Sequence, residues 1–417
     1  MNTFRRNSVT VLRNFSRKRQ SGLSLVELMI ALALSATLIL GIFTIYMDTS
    51  QTTRVGESLA RVQESGRIGL EIMSKEIRLA GYQGCSDTYT VPIRVIANNP
   101  PASLTPETRM YDVGLRGWQV TAATQTTWDA GSDFEDVGII EDEALPGSDV
   151  LMVQRARQLS AEIEPGSTST KVNITDPDGL FGSGARFRSG SLLMIADCEN
   201  VDIFRLSEDP TGTPVELKHA GSTNTNGQLS VVYAADEDAA LYSLESTVFF
   251  VADTGRVDGQ GNSISALYRA TNNFPNSATP SFQREELVEG VEAMKIQYGI
   301  RTSANNNTIN YVDASAVGAN DWRDVVVVRV GLLVSASGSA LGQNDTQTYQ
   351  LPGTVFVASS PGTGEQLHAA DRRLRKTFVS TIDIRNRRCG EFKQLGATGQ
   401  WEWESADENG GDGDPCN

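Results

Sequence analysis

One carboxylate inside an apolar run, four cysteines and two histidines are the residues of this chain whose types and spacing could do chemistry. The carboxylate is Glu27, in "SGLSLVELMIALALSATLILGIFTIYM", residues 21–47. An ionised side chain in hydrocarbon costs at least ~2.5–3.5 kcal/mol, so Glu27 requires a partner that offsets that cost. Cys85, Cys198, Cys389 and Cys416 allow three disulfide pairings. Metal ligation by them lacks support: no Cys-x-x-Cys occurs, and His219 and His368 are far from any cysteine in sequence. His219 stands in a Lys-His-Ala turn and His368 in a Gly-rich loop, and both read as solvated loop residues rather than general bases. No nucleophile elbow, P-loop or His-Glu-x-x-His occurs. Asp407, Asn409, Asp412 and Asp414 in "DENGGDGD" offer oxygen ligands among glycines, as Ca²⁺ loops do, but without EF-hand spacing. A solvated acidic tail is the plainer reading. The expectation is a protein that is not an enzyme and holds no cofactor and no metal.

The element that carries Glu27 is a membrane helix by length and composition. Nineteen of the 25 residues from Leu23 to Met47 are apolar, and none of residues 28–47 is charged. At ~1.5 Å per residue those last twenty span about 30 Å, the thickness of a bilayer core. Before them lie Arg5, Arg6, Arg13, Arg17, Lys18 and Arg19, with no acidic residue in the first twenty. Such a flank stays cytoplasmic and sends the rest of the chain across the membrane. The whole chain of 417 residues has a net charge of −15; taking those six groups from its 36 leaves 30 basic against 51 acidic, or −21. That balance argues against nucleic acid as a direct partner. A cleaved secretory signal fits poorly, because the apolar run is too long and no small-x-small site follows it. A plain signal anchor leaves Glu27 unexplained, and a buried core helix is at odds with the basic flank.

Ser21-Gly22-Leu23-Ser24-Leu25-Val26-Glu27 resembles the class III signal of type IV prepilins and pseudopilins. The resemblance implies that a prepilin peptidase cuts after Gly22, that Leu23 becomes an N-methylated N-terminus, and that Glu27 becomes the fifth residue of the mature chain. Leu23 departs from the Phe usual at that first position but stays apolar. Cleavage then supplies the missing partner. The amine at Leu23 of one subunit can face Glu27 of the next, and two charges ~4 Å apart attract by about 4 kcal/mol at an effective dielectric of ~20. That is comparable to the insertion cost, so the pair favours assembly over the lone subunit, with Glu27 as its registry device.

Residues 51–80 continue without proline. Val55, Leu59, Val62, Gly66, Leu70, Met73 and Ile77 recur at helical spacing, with Arg54, Glu57, Glu64, Arg67, Glu71, Lys75 and Arg78 opposite. This predicts an amphipathic second half to one long helix, ended at Gly81. Beyond Gly81 the period changes to two, as in Met294–Arg301 and 378–385, while "VVVVRV" at 325–330 suits a central strand. Further strands are expected at 149–154, 191–196, 201–206, 229–234, 245–252 and 265–269. Gly, Asn, Pro and Ser clusters at 207–214, 220–227, 271–280 and 303–308 separate them. "ITDPDG" (174–179) reads as a turn. The predicted fold class is α+β: a long N-terminal helix packed on an antiparallel β-rich head. The predicted organisation is a cleaved leader at 1–22, a transmembrane half-helix at 23–50, an amphipathic half-helix at 51–80 and a head at 81–417. That head is large enough for two lobes.

"EIRLAGYQGC" (76–85), "LLMIADCENVDIFRL" (192–206), "LVEGVEAMKIQYGI" (287–300), "WRDVVVVRVGLLV" (322–334) and "TFVSTIDIRNR" (377–387) together resemble minor pilins of the PilW type. Their order along the chain matters more than any one segment. The resemblance implies a low-abundance subunit that primes assembly of a type IV pilus and sits at its tip. Its implied partners are other minor pilins, the major pilin, the inner-membrane assembly platform and prepilin peptidase; twitching motility lies downstream. The implied location is the inner membrane, single-pass, with a periplasmic head, and then the pilus. The resemblance also favours Cys85–Cys198, stapling the helix end to the sheet, with Cys389–Cys416 left to fasten the acidic tail. A J-class pseudopilin of a type II secretion system shares the plan, and a membrane-tethered periplasmic enzyme or binding protein would instead keep its leader.

Overall fold

A computed structural model describes residues 22, 24–84, 93–98, 114–120, 144–197, 199–233, 239–272, 283–301, 309–318, 321–386, 390–395 and 400–405. Helix α1 runs Leu25–Arg78, 54 residues of mostly Leu, Ala, Ile, Met and charged side chains without proline. Twenty strands follow among the described residues. The first ten are β1 (Ile93–Val95), β2 (Leu115–Gln119), β3 (Asp149–Gln158), β4 (Ile163–Thr168), β5 (Lys171–Ile174), β6 (Leu192–Ala196), β7 (Val201–Arg205), β8 (Val215–Lys218), β9 (Ala240–Val257) and β10 (Ser263–Asn272). The others are β11 (Gln283–Glu289), β12 (Val291–Arg301), β13 (Ile309–Val312), β14 (Val325–Ser339), β15 (Tyr349–Leu351), β16 (Thr354–Val357), β17 (Glu365–Leu367), β18 (Arg373–Asp383), β19 (Gly390–Leu395) and β20 (Gln400–Ser405). The α+β expectation holds, and pairing is antiparallel except for β1 with β7 and β16 with β17.

The chain divides into two compact units, 1–54 and 55–417. In the first, every large apolar side chain of α1 from Leu25 to Met47 is exposed. In the second, two sheets pack against one face of the rest of the helix. A ten-stranded sheet runs β11-β10-β9-β6-β7-β1-β20-β19, with β3 also on β9 and β2 on β3. A four-stranded sheet runs β13-β12-β14-β18. Val62, Met73 and Ile77 of α1 share one core with Leu151, Phe249, Val251 and Leu267 of the large sheet. Met294, Ile296, Val330 and Leu332 of the small sheet complete that core.

Alternation explains the other clusters. On β9, Phe249 and Val251 face the helix while Val248, Phe250 and Ala252 face a second core. On β14, Val328, Val330, Leu332 and Val334 face the helix, and Leu333 packs with Leu351 and Phe356 of the β15-β16-β17 sheet. Coverage on both faces is why 325–330 is an almost unbroken valine run. The β4-β5-β8 sheet closes a further core against β6 and β7 through Val172, Leu217, Leu193 and Phe204.

The strands foreseen at 149–154, 191–196, 201–206, 245–252, 265–269, 294–301, 325–330 and 378–385 are present with wider, narrower or shifted bounds. The one expected at 229–234 is not: residues 229–233 are irregular. Ser230 gives both its N–H and its hydroxyl to Asp202, and the Tyr233 hydroxyl donates there too, so side-chain bonding replaces a ladder. The turn at 174–179 is held by the Asp176 carboxylate, which accepts the N–H groups of Leu180 and Phe181.

Candidate functional site

The apolar half of α1 is the first part of the site. Gly22 is exposed and Leu23 lies outside the described residues. The helix starts at Leu25, its first bond running from Leu28 N–H to the Ser24 carbonyl. Glu27 therefore sits in the first turn, where the helix dipole favours a carboxylate by about 0.3–1 kcal/mol. That is too little to offset transfer into hydrocarbon. The hydroxyls of this half are already satisfied: Ser35 donates to the Ala31 carbonyl, Thr37 to Leu34 and Thr44 to Gly41, at 2.7–2.9 Å. No described residue pairs with Glu27. Among the described residues, these hydroxyls bond within the helix while the Glu27 carboxylate has no partner.

The second part is the seat of the amphipathic half. Its buried residues are Val62, Gly66, Gly69, Met73, Glu76 and Ile77. Gly66 lies against the Phe378 ring of β18, so close that an added Cβ would stand 2.3–2.6 Å from its carbons. Gly69 does the same more loosely toward Leu332 of β14. At the far end, Leu79 and Ala80 close 3-10 bonds to Glu76 and Ile77, and Gly81 takes φ +74° while donating its N–H to the Gln154 carbonyl. The expected helix stop is thus met, and it ties α1 directly to β3.

Sequence reading missed Glu76. It is buried beside Ile77, with Arg155 Nε of β3 at 3.1 Å. Arg155 also reaches Glu245 of β9 at 3.4 Å, and Arg157 meets Glu245 at 3.2 Å. Glu76 stands three residues after Met73, on the stripe itself, and that position was the available signal. An ion pair there fixes the rotation of the helix, since a buried acid tolerates no other facing.

Both histidines depart from the solvated reading. His219, just after β8, is fully buried against the Phe204 ring, centroids 5.0 Å apart, and burial pushes its imidazole down to about 4. His368 is buried with its ring nitrogens facing the carbonyls of Gln347 and Ala369. In each case the flanking polar backbone is bonded within the fold, as from His219 N–H to the Thr170 carbonyl, so the ring is drawn in with it. Cys85, Cys198, Cys389 and Cys416 lie outside the described residues, as do Asp407, Asn409, Asp412 and Asp414. Among the described residues no cluster of His, Cys, Asp or Glu has the makings of a metal site.

Residues 17–43 match the prokaryotic N-terminal methylation motif, the region that carries Gly22, Leu23 and Glu27. Residues 248–386 match the family model described as Type IV Pilus-assembly protein W, which spans β9 to the end of β18. Over these two stretches the chain is similar to a PilW-type prepilin-like protein. The PilW match covers the strands that hold Gly66 and Gly69 of the helix, and so part of the seat of α1; β3, which holds Glu76 and Gly81, lies outside it. No curated protein and no solved structure matches the chain. These two matches point to a structural role rather than catalysis, with other pilus components as its company, and the apolar helix fits a membrane-anchored pilin.

Proposed function

We propose that this PilW-type protein is a minor pilin that helps start assembly of a type IV pilus and sits at its tip. Prepilin peptidase cuts after Gly22, and Leu23 is N-methylated. The chain then waits in the inner membrane, single-pass, with 81–417 in the periplasm. Other minor pilins, the major pilin and the assembly platform are its partners. The observation that carries this reading is Glu27: the one charged side chain within the exposed apolar run Leu25–Met47, with no partner among the described residues. The amine of a neighbouring Leu23 is the partner of matching charge and depth. The bulk of the head, 337 residues from 81 to 417, supports a low-copy position, because a filament of many such heads would be crowded.

The deciding experiment is Glu27→Val in cells that make pili. Cleavage at Gly22 stays largely intact, whereas incorporation into sheared filaments, followed by immunoblot, falls at least tenfold. Normal incorporation of the variant would remove the registry argument. Mass spectrometry of the native protein adds an independent check: a chain starting at N-methyl-Leu23 agrees with the reading, and one starting at Met1 is a membrane tether instead.

A further inference from the structure

The head contains a buried ammonium–carboxylate pair that the helix and its seat do not use. Asp149, the first residue of β3 in the large sheet, and Lys295, in β12 of the small sheet, meet with Nζ 2.8 Å from Oδ1. Their side chains are 3 % and 8 % exposed. The second oxygen, Oδ2, accepts the N–H of Ile296 at 2.8 Å, and the neighbouring Ser148 hydroxyl accepts the N–H of Met294 at 3.0 Å. Ser148 and Asp149 thus stand in for a strand on that stretch of β12, which holds the carboxyl rigidly against the amine. Tyr298, fully buried and edge-on to Trp322 at 4.8 Å, adds apolar wall nearby.

We infer that Lys295 and Asp149 condense into an isopeptide bond that clamps the two sheets of the head covalently. A proton passes from the Lys295 ammonium to Oδ1 of Asp149, giving a neutral amine and a neutral acid. The amine lone pair attacks Cγ. Oδ2 carries the developing negative charge and already has a donor in the Ile296 N–H, which later serves the amide carbonyl. The Cγ–Oδ1 bond then breaks, and Oδ1 departs as water with the acid proton and one proton from Nζ. One amine and one carboxylic acid become one amide and one water; no oxidant, metal or activated ester is needed.

Three features favour the step. Burial holds the Asp149 carboxyl up at about 6, despite the lowering influence of Lys295, so the neutral acid is within reach near neutral pH. Groups held in such contact react with effective molarities up to about 10⁵–10⁸ M. Finally, two buried charges are replaced by one neutral amide, which relieves the desolvation cost of keeping an ion pair in a dry core.

The test is a tryptic map of the full-length protein, purified in detergent after folding in the cell, then reduced and denatured. With the bond, residues 117–155 and 285–301 appear as one branched peptide, lighter than their sum by one water, and trypsin fails to cut after Lys295. Lys295→Arg keeps the ion pair but cannot form the amide, so its map shows the two peptides apart. Unlinked peptides 117–155, 285–295 and 296–301 at full mass from the wild-type protein would overturn the inference. Because the wild-type map decides alone, poor folding of the variant does not blunt the test.

Discussion

Gly66→Ala is the sharpest test of how the helix is seated. The added methyl would stand 2.3 Å from Cδ2, 2.4 Å from Cε2 and 2.6 Å from Cγ of Phe378. Carbon atoms prefer about 3.5–4.0 Å, so something must retreat by more than ~1 Å. Cγ is one bond from the Phe378 β-carbon, so the ring cannot swing clear without moving β18 or lifting the helix. Overpacking of this kind costs about 1–3 kcal/mol. Alanine returns about 1 kcal/mol of helix propensity over glycine. The net effect at Gly66 is a loss of up to about 2 kcal/mol. Gly56, on the same helix, has nothing within 4 Å of an added methyl, so Gly56→Ala keeps the propensity gain with no clash. The two variants should differ by about 2 kcal/mol, or roughly 2–3 °C in melting temperature for a unit of this size. Thermal unfolding of both full-length variants in the same detergent reads the difference. If they melt together, α1 does not pack on β18 as described, and the account of the seat is wrong.

Three other outcomes follow from the same structure. His219 is held neutral by burial, with its folded value near 4 below the usual 6.5, so the unfolded chain takes up the proton first as pH falls. Its contribution is present above about 6.5 and is lost toward 4. Wild type should lose about 2 kcal/mol more than His219→Leu between pH 7 and 5 in urea unfolding, and parallel losses would contradict the burial. Glu76→Ala takes the nearer acid from Arg155 and should destabilise by about 1–3 kcal/mol, with added protease cleavage in 55–80; Glu76→Gln should lose less. Gly22→Leu should accumulate an uncleaved precursor, visible by immunoblot, with filaments lacking the protein.

The amino-acid order alone determined the long helix, its two regimes and the special status of Glu27. Those features depend on neighbours within a turn or two, and on a hydrocarbon environment that treats every such sequence alike. Alternation was also enough to place most of the strands of the helix-bearing core, from β3 to β18. What it could not decide was which residues meet. Short strands such as β4, β5 and β15–β17 carry three to six residues each, too few for a period to show. His219 and His368 sit among turn residues by sequence, yet the fold buries them because their backbones are bonded into neighbouring segments. Glu76 with Arg155 and Asp149 with Lys295 are separated by 79 and 146 residues. Only the packing of two sheets on one another and on one face of α1 brings such partners into contact. That packing is set by side-chain volume and register across the whole core, such as the bare backbone at Gly66 that admits the Phe378 ring, and no local stretch of sequence contains it.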